Sequence, residues 1–240
     1  MGEAIGKRFQ EETRYDRHTS FGAFKPLRPP KPYKTYPDAR RIQLPKPQGS
    51  IMPFTETVLK RRSVREYSQE PITPHDLGFL VWASTGLQRH EMGYAFRTAP
   101  SAGALYPIET YLVLNRVNDI EHGVYHYHVQ DHCLEEIKTG DFGRNTSQAA
   151  LGQQMCAEAA AALIWTAVFN RSRWKYQERA YRYIYMEAGH IAENLSLACV
   201  SLGLGSCHVA AFFDPELESI IGVDGKDEGV LYMTVTGYPR

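Results

Sequence analysis

Two stretches of this chain concentrate residues suited to holding an anion and a flat ligand. Arg61-Arg62-Ser63-Val64-Arg65 puts three guanidinium groups within five residues, with a hydroxyl between them. Planar guanidinium forks match phosphate oxygens, which makes a phosphate site one reading; a solvated basic helix end, favoured by the macrodipole, is the other. The second stretch runs from Arg97 to Pro107 and holds small residues between Pro100 and Pro107. Small residues let a flat ligand approach the backbone, whose amides and the Ser101 hydroxyl can then bond to it. The prolines stiffen the loop and reduce the entropy lost on binding. An ordinary loop leading into a strand has the same composition.

Further candidates follow downstream. Lys175-Tyr176, within Trp174–Tyr181, suits proton transfer if burial lowers the lysine pKa; a surface lysine beside core aromatics is the alternative. Alternation along Tyr125-His126-Tyr127-His128 puts both histidines on one strand face, as two metal ligands need, but no third ligand stands at a fixed spacing. No metal is expected. Gly203-Leu204-Gly205-Ser206 resembles half of a dinucleotide fingerprint, yet it follows a helix and precedes a strand, the wrong order for that turn. Nucleophile-elbow, Walker and HExxH motifs are absent.

The elements that must position these residues can be read in outline. Residues 1–52 are expected to form a proline-rich extended arm, pinned by Tyr15, Phe21, Phe24, Tyr33 and Tyr36, ahead of a compact domain over 53–240. A short helix is predicted over Glu56–Arg62. Thr73-Pro74-His75-Asp76 starts a helix that Gly86 ends. Strands are predicted at Glu109–Asn115, Val124–His128, Cys133–Lys138, Ala160–Phe169, Cys207–Phe213 and Gly229–Gly237. Helices are predicted at Thr146–Ala159 and Pro215–Ile221. The longest periodic element, Trp174–Leu202, reads as one helix about 40 Å long that is either a core element or an oligomer interface. This order suits a mixed α+β fold better than a doubly wound sheet.

Composition narrows the function classes. The 240 residues carry 27 basic and 27 acidic side chains, with 43% apolar residues. That balance does not attract nucleic acid or an anionic membrane. Four cysteines without a CxxC pair fit a reducing compartment. With neither an apolar leader nor a spanning run, a cytoplasmic protein is expected.

Taken together, Arg61–Arg65, Pro100–Pro107, Gly203-Leu204-Gly205-Ser206-Cys207 after a long helix, and the ending Thr236-Gly237-Tyr238-Pro239 resemble the FMN-dependent nitroreductase superfamily, from about Pro53 onward. Within it the chain is similar to the SagB-type branch, whose characterised members oxidise azolines to azoles. Ala104 and Tyr106 stand where general nitroreductases usually have Asn and Gln, and both departures match that branch. So do Trp174-Lys175-Tyr176-x-x-Arg179-x-Tyr181 and the proline-rich arm.

The resemblance implies an α+β nitroreductase-like subunit: a mixed, mostly antiparallel sheet flanked by helices, with a long central helix. It implies a homodimer with FMN at the interface. Arg61, Arg62, Ser63 and Arg65 would hold the phosphate and ribityl chain. Pro100, Ser101, Ala102, Gly103 and Leu105 would lie along the isoalloxazine, supplied by the opposite subunit. Backbone groups of Ala210 and Ala211 would face the ring's N5 edge, and Gln154 the pyrimidine side. Arg240 either takes the role of the basic residues that relatives carry beyond Gly-Tyr-Pro or leaves the phosphate to the earlier arginines. Lys175 and Tyr176 match the general-base pair of azoline oxidation.

Three functions stay open: azoline dehydrogenation on a small molecule or modified peptide, either alone or with a cyclodehydratase as partner; NAD(P)H-dependent reduction of nitro compounds or quinones; and a non-catalytic flavin-binding subunit of a peptide-modifying complex.

Overall fold

The structure, a computed structural model, describes residues 5–14, 30–47 and 52–240. The expected pinning residues Tyr15, Phe21 and Phe24 lie outside them. In chain order the elements are α1 (Ile5–Glu12), β1 (Arg41–Gln43), α2 (Phe54–Lys60), α3 (Pro74–Thr85), β2 (Leu87–Glu91), β3 (Tyr94–Arg97), β4 (Ile108–Leu114), β5 (Gly123–His128) and β6 (Cys133–Thr139). They continue with α4 (Gly143–Ala149), α5 (Met155–Glu158), β7 (Ala161–Val168), α6 (Asn170–Tyr176), α7 (Ala180–Ser201), β8 (Gly205–Val209), α8 (Asp214–Ile221) and β9 (Glu228–Gly237).

Seven strands form one sheet in the order β1-β6-β5-β4-β7-β9-β8, with every adjacent pair antiparallel. Both faces are covered, so the central strands β4 and β7 are apolar almost throughout. Strand alternation then divides β4 between two cores. Ile108, Leu112 and Leu114 pack with Leu77, Leu80 and Val81 of α3 and with Ile184, Ile191 and Leu195 of α7. Tyr111 and Val113 face Ala149, Met155 and Cys156 around α4 and α5, and Leu217 and Ile221 of α8. The Thr73 hydroxyl caps α3 by accepting from the Asp76 amide at 3.0 Å, as the Thr-Pro-His-Asp pattern predicts.

Four boundaries differ from the sequence reading, each for a local reason. Helix α2 ends at Lys60, because the Ser63 segment leaves to pair with Ser206 in a parallel bridge. Arg61–Arg65 is therefore extended and is not a basic helix end. The predicted helix 146–159 is two helices, α4 and α5, parted by left-handed backbone at Leu151 (φ 57°) and Gly152 (φ 77°). The long helix is also two. Gln177 sits at φ 50° and a single 3-10 turn separates α6 from the 22-residue α7. Strand β8 stops at Val209, which leaves Ala210 and Ala211 in an exposed loop.

The arm is not extended throughout, since Ile5–Glu12 is helical, but its residues from Lys34 to Gln43 are tied to the sheet. Arg41–Gln43 adds an edge strand on β6. The Lys34 ammonium lies 2.5 Å from Glu228 and donates to the Tyr111 hydroxyl at 2.7 Å, while its amide donates to Glu109 at 3.2 Å. The Tyr36 amide donates to Glu135 at 3.1 Å. Between Glu109 and Glu135 stands His126, its ring nitrogens 3.2 and 3.0 Å from the two carboxylates. Strands β2 and β3 form a separate hairpin that the sequence reading missed; it delivers Arg97 to the loop that follows.

Candidate functional site

The loop from Arg97 to Pro107 is built on left-handed backbone: Gly103 at φ 66°, Ala104 at 54° and Tyr106 at 46°. Two of these carry side chains, which costs about 1–2 kcal/mol each and persists only where the surroundings hold the backbone in place. They do so through hydrogen bonds. The Ser101 carbonyl accepts from Ala104 N–H at 3.0 Å, and its hydroxyl oxygen accepts from Tyr106 N–H at 2.9 Å. The Tyr106 hydroxyl in turn accepts from Arg97 N–H at 3.1 Å. The buried Arg97 guanidinium lies over the Tyr106 ring, 4.9 Å from its centroid, and donates to the Ile108 carbonyl. Tyr106 is thus a structural part of the loop, clamped from both ends.

Lys175 and Tyr176 meet this loop within the same chain. A Cβ added at Gly103 would lie 2.6 Å from the Tyr176 hydroxyl and 2.8 Å from the Lys175 ammonium. The left-handed glycine is what lets the pair come this close. Helix α6 is held at this spot by Arg171. Its guanidinium lies 2.5 Å from Glu109, with both side chains buried, and donates to the carbonyls of Tyr106 and Lys31. The break at Gln177 then turns the chain, so Tyr176 packs edge-on against Tyr183 of α7 at 5.0 Å.

The basic cluster is assembled from both ends of the domain. Val64 N–H donates to the Ser206 carbonyl at 2.9 Å, Tyr67 bridges Pro239, and Arg240 N–H donates to the Glu66 carbonyl at 3.1 Å. Backbone pairing therefore sets Arg61–Arg65 beside both β8 and Arg240. Arg61 reaches Glu193 only at 3.9 Å; among the described residues Arg62, Arg65 and Arg240 make no ion pair. Gly205 has a structural reason, since a Cβ there would stand 2.7 Å from the Val64 side chain.

The remaining candidates are placed differently. Ala210 and Ala211 are exposed after β8. Gln153, which the sequence reading passed over, donates to the carbonyls of Ala211 and Ala150, whereas its neighbour Gln154 is exposed at the start of α5. His126 and His128 share a face as alternation requires. His126 is enclosed by its two glutamates, and His128 lies near Arg41 and Asp131. Among the described residues no group of three or more His, Cys, Asp or Glu is arranged to hold a metal. All four cysteines are free and buried. No described helix is long and apolar enough to cross a membrane.

The electrostatics single out two buried carboxylates. Glu109 loses hydration but gains His126, Arg171 and Arg97, and the partners prevail: its pKa falls to about 2. Glu187, in the middle of α7, is equally buried with only the Ser101 hydroxyl and the charge of Arg97 to offset it, and desolvation lifts it to about 7. It lines a cavity of about 270 Å³ with Pro100, Ser101, Ala102, Tyr183, Met186 and His190. A larger cavity, about 520 Å³, lies between arm residues and the α8–β9 connection and contains none of the predicted site residues. Neither Glu187 nor Arg97 and Arg171 stood out in the sequence, where each is a single charge in an apolar context.

An extended basic segment ahead of α3, a strained small-residue loop before β4 and a Gly-Tyr-Pro end paired back onto that segment form one arrangement. The sequence pattern of the nitroreductase family matches it over residues 58–238. The chain belongs to the nitroreductase family. Its members are flavin oxidoreductases, and the expected α+β fold and enzyme class stand. A Methanocaldococcus jannaschii protein named as a nitroreductase, MJ1384, is 38% identical over 198 residues, 82% of this chain and 96% of the relative. The trifolitoxin-processing protein TfxB of Rhizobium leguminosarum is 35% identical over 133 residues, 53% of this chain and 36% of TfxB.

Among solved structures, one from Anabaena variabilis named as a nitroreductase superposes with a TM-score of 0.78 at 28% identity, over 98% of this chain and 47% of that one. The Escherichia coli microcin synthetase McbBCD complex, with truncated pro-microcin bound, shares the fold with a TM-score of 0.65 at 21% identity, over 83% of this chain and 78% of that one. The chain thus spans about half the Anabaena protein and about a third of TfxB.

Proposed function

We propose that this chain is an FMN-dependent, SagB-type dehydrogenase that oxidises an azoline or related heterocycle on a small molecule or modified peptide. The observation that carries this reading is the convergence of Lys175 and Tyr176 on Gly103. A base pair held against a stiff, small-residue loop is what ring oxidation requires beside a flat redox cofactor. The trifolitoxin-processing relative TfxB supports the substrate class.

The residues present fit FMN. Backbone pairing sets Arg240 beside Glu66, next to Arg65; with Arg61, Arg62 and the Ser63 hydroxyl these arginines would make a donor set suited to its phosphate. Pro100–Gly103 and Leu105 would flank the ring, with the Ala210–Ala211 backbone, braced by Gln153, at another edge. Bound FMN supplies a two-electron acceptor. Lys175 and Tyr176 take the proton from the heterocycle as it becomes aromatic, and Arg171 keeps their helix in register with the loop.

A homodimer completes the reading. Phe54 and Leu59 of α2 and Tyr185 and Met186 of α7 are large apolar side chains more than half exposed, a pattern that favours burial against a second copy. The free thiols suit a cytoplasmic setting.

The rival reading, NAD(P)H-driven reduction of nitro compounds or quinones, differs in what reduces the flavin. Anaerobic mixing separates the two. Bleaching by an azoline peptide, with NADPH inert, supports the dehydrogenase; rapid bleaching by NADPH alone refutes it. A third reading, a non-catalytic flavin subunit, requires Lys175→Ala to change no turnover.

A further inference from the structure

Helix α6 carries the proposed base pair and has little of its own to hold it. At 7 residues it is too short to be stable alone. Its buried residues are Arg171 and Ser172, so its deepest anchor is a guanidinium rather than an apolar face. Lys175, one turn beyond Arg171, is exposed.

That guanidinium sits in a socket with two walls. One belongs to the folded domain: the Glu109 carboxylate at 2.5 Å and the Tyr106 carbonyl at 3.4 Å. The other belongs to the arm. The Lys31 carbonyl accepts from Arg171 Nε at 2.9 Å, and the Lys34 amide donates at 3.2 Å to the Glu109 oxygen that also takes Arg171. No helix or strand forms over residues 31–36, so side chains must fasten this segment. The Lys34 ammonium does so on Glu228 and the Tyr111 hydroxyl, and the Tyr36 hydroxyl lies 3.0 Å from the same Tyr111 oxygen. Lifting the segment would leave a buried Arg171 donor without its partner and take one donor from Glu109. It would also bring water to an ion pair that is strong because water is kept away.

Resting on the dehydrogenase reading above, we propose that residues 31–36 are a strap belonging to the active site, and that Lys34 is a positioning residue which, by fastening the strap, completes the Arg171 socket and sets Lys175 and Tyr176 against Gly103. The strap acts through Arg171 and α6. Its loss therefore slows the chemical step and leaves flavin content and KM in place.

The test is a double-mutant cycle in the full chain, Lys34→Met with Arg171→Lys. Arg171→Lys keeps a cation against Glu109 but gives up the guanidinium fork, which cuts the same link from the other side. With a synthetic peptide bearing one thiazoline ring, kcat is expected to fall about tenfold or more in each single variant, at unchanged KM and FMN content. The double variant should match the slower single within about threefold, since a link already cut cannot be cut again. Hydrogen exchange adds a readout that needs no activity. The α6 amides should exchange about tenfold faster in Lys34→Met than in wild type. Thr73→Ala, which removes the cap of α3 and costs stability away from the strap, should leave them at the wild-type rate. Effects on kcat that multiply, a raised KM with kcat kept, wild-type exchange at α6 in Lys34→Met, or equal acceleration there in Thr73→Ala would each overturn this inference and leave the dehydrogenase reading standing. A wild type that oxidises no thiazoline overturns that reading and the catalytic half of this inference with it; exchange at α6 then decides alone whether the strap holds the helix.

Discussion

Replacing Gly103 with alanine puts the convergence of the base pair and the loop under direct test. The backbone there is left-handed at φ 66°, so a Cβ costs about 1 kcal/mol or slightly more, a drop in melting temperature of roughly 2–4 °C for a chain of this size. That Cβ would also stand 2.6 Å from the Tyr176 hydroxyl and 2.8 Å from the Lys175 ammonium. Ordinary contact needs roughly 3.5 Å, so both polar ends must retreat by about 1 Å. Both are tips of flexible side chains, so the retreat adds little to the stability cost. If Lys175 and Tyr176 are the base pair proposed above, they lose their placement, and misplacement of that size lowers turnover by roughly a hundredfold.

Gly93→Ala is the matched control, because Gly93 has the same kind of backbone (φ 79°) with nothing within 4 Å of an added Cβ. It should lose similar stability and keep its activity. The assay is the single-turnover rate of flavin reduction by an azoline peptide, read beside a thermal melt. The reasoning is refuted if Gly103→Ala keeps its rate within a few-fold, or if Gly93→Ala loses as much.

Other consequences of the structure can be checked together. Lys34→Met leaves the nearly buried Glu228 without its ammonium; allowing for the partial exposure of Lys34, the loss is about 2 kcal/mol, visible in a denaturant melt. His126 has a raised pKa, so the stability it contributes is complete below its ordinary value and disappears as pH rises through the higher folded value. His126→Gln should be less stable at neutral pH and lack that alkaline decline in melting temperature. At the acid end, Glu109 contributes stability above its ordinary carboxylate range that is lost as pH falls toward about 2, and Glu109→Gln should flatten that limb. Arg65→Ala should weaken FMN binding by roughly tenfold or more, with a reduced dependence on salt, while riboflavin, which has no phosphate, binds as before.

Much of this was legible because it is local. The Thr73 cap, the all-buried run at β4 and the turn before Cys133 follow from propensity and alternation. The pieces that escaped are tertiary. Helical periodicity continues on both sides of Gln177, so nothing in the pattern shows that its backbone is left-handed and that α6 and α7 diverge there. The β2–β3 hairpin carries polar residues on exposed strands and has no apolar alternation to detect. Gln153 and Gln154 are indistinguishable as neighbours until folding gives one of them a carbonyl on a distant loop. Glu109, Arg171 and His126 are far apart in the chain; only the sheet register and the position of α6 turn three isolated charges into one network. The candidate site was easier to see than its supports, because loop composition and the arginine cluster are sequence-local and the residues that hold them are not.

The measurement that bears most directly on the central claim is the flavin content of the purified protein. A yellow protein carrying about one FMN per chain, or a colourless one that takes up added FMN to that ratio, is the predicted result. A colourless protein that binds no added FMN at any concentration would contradict the account.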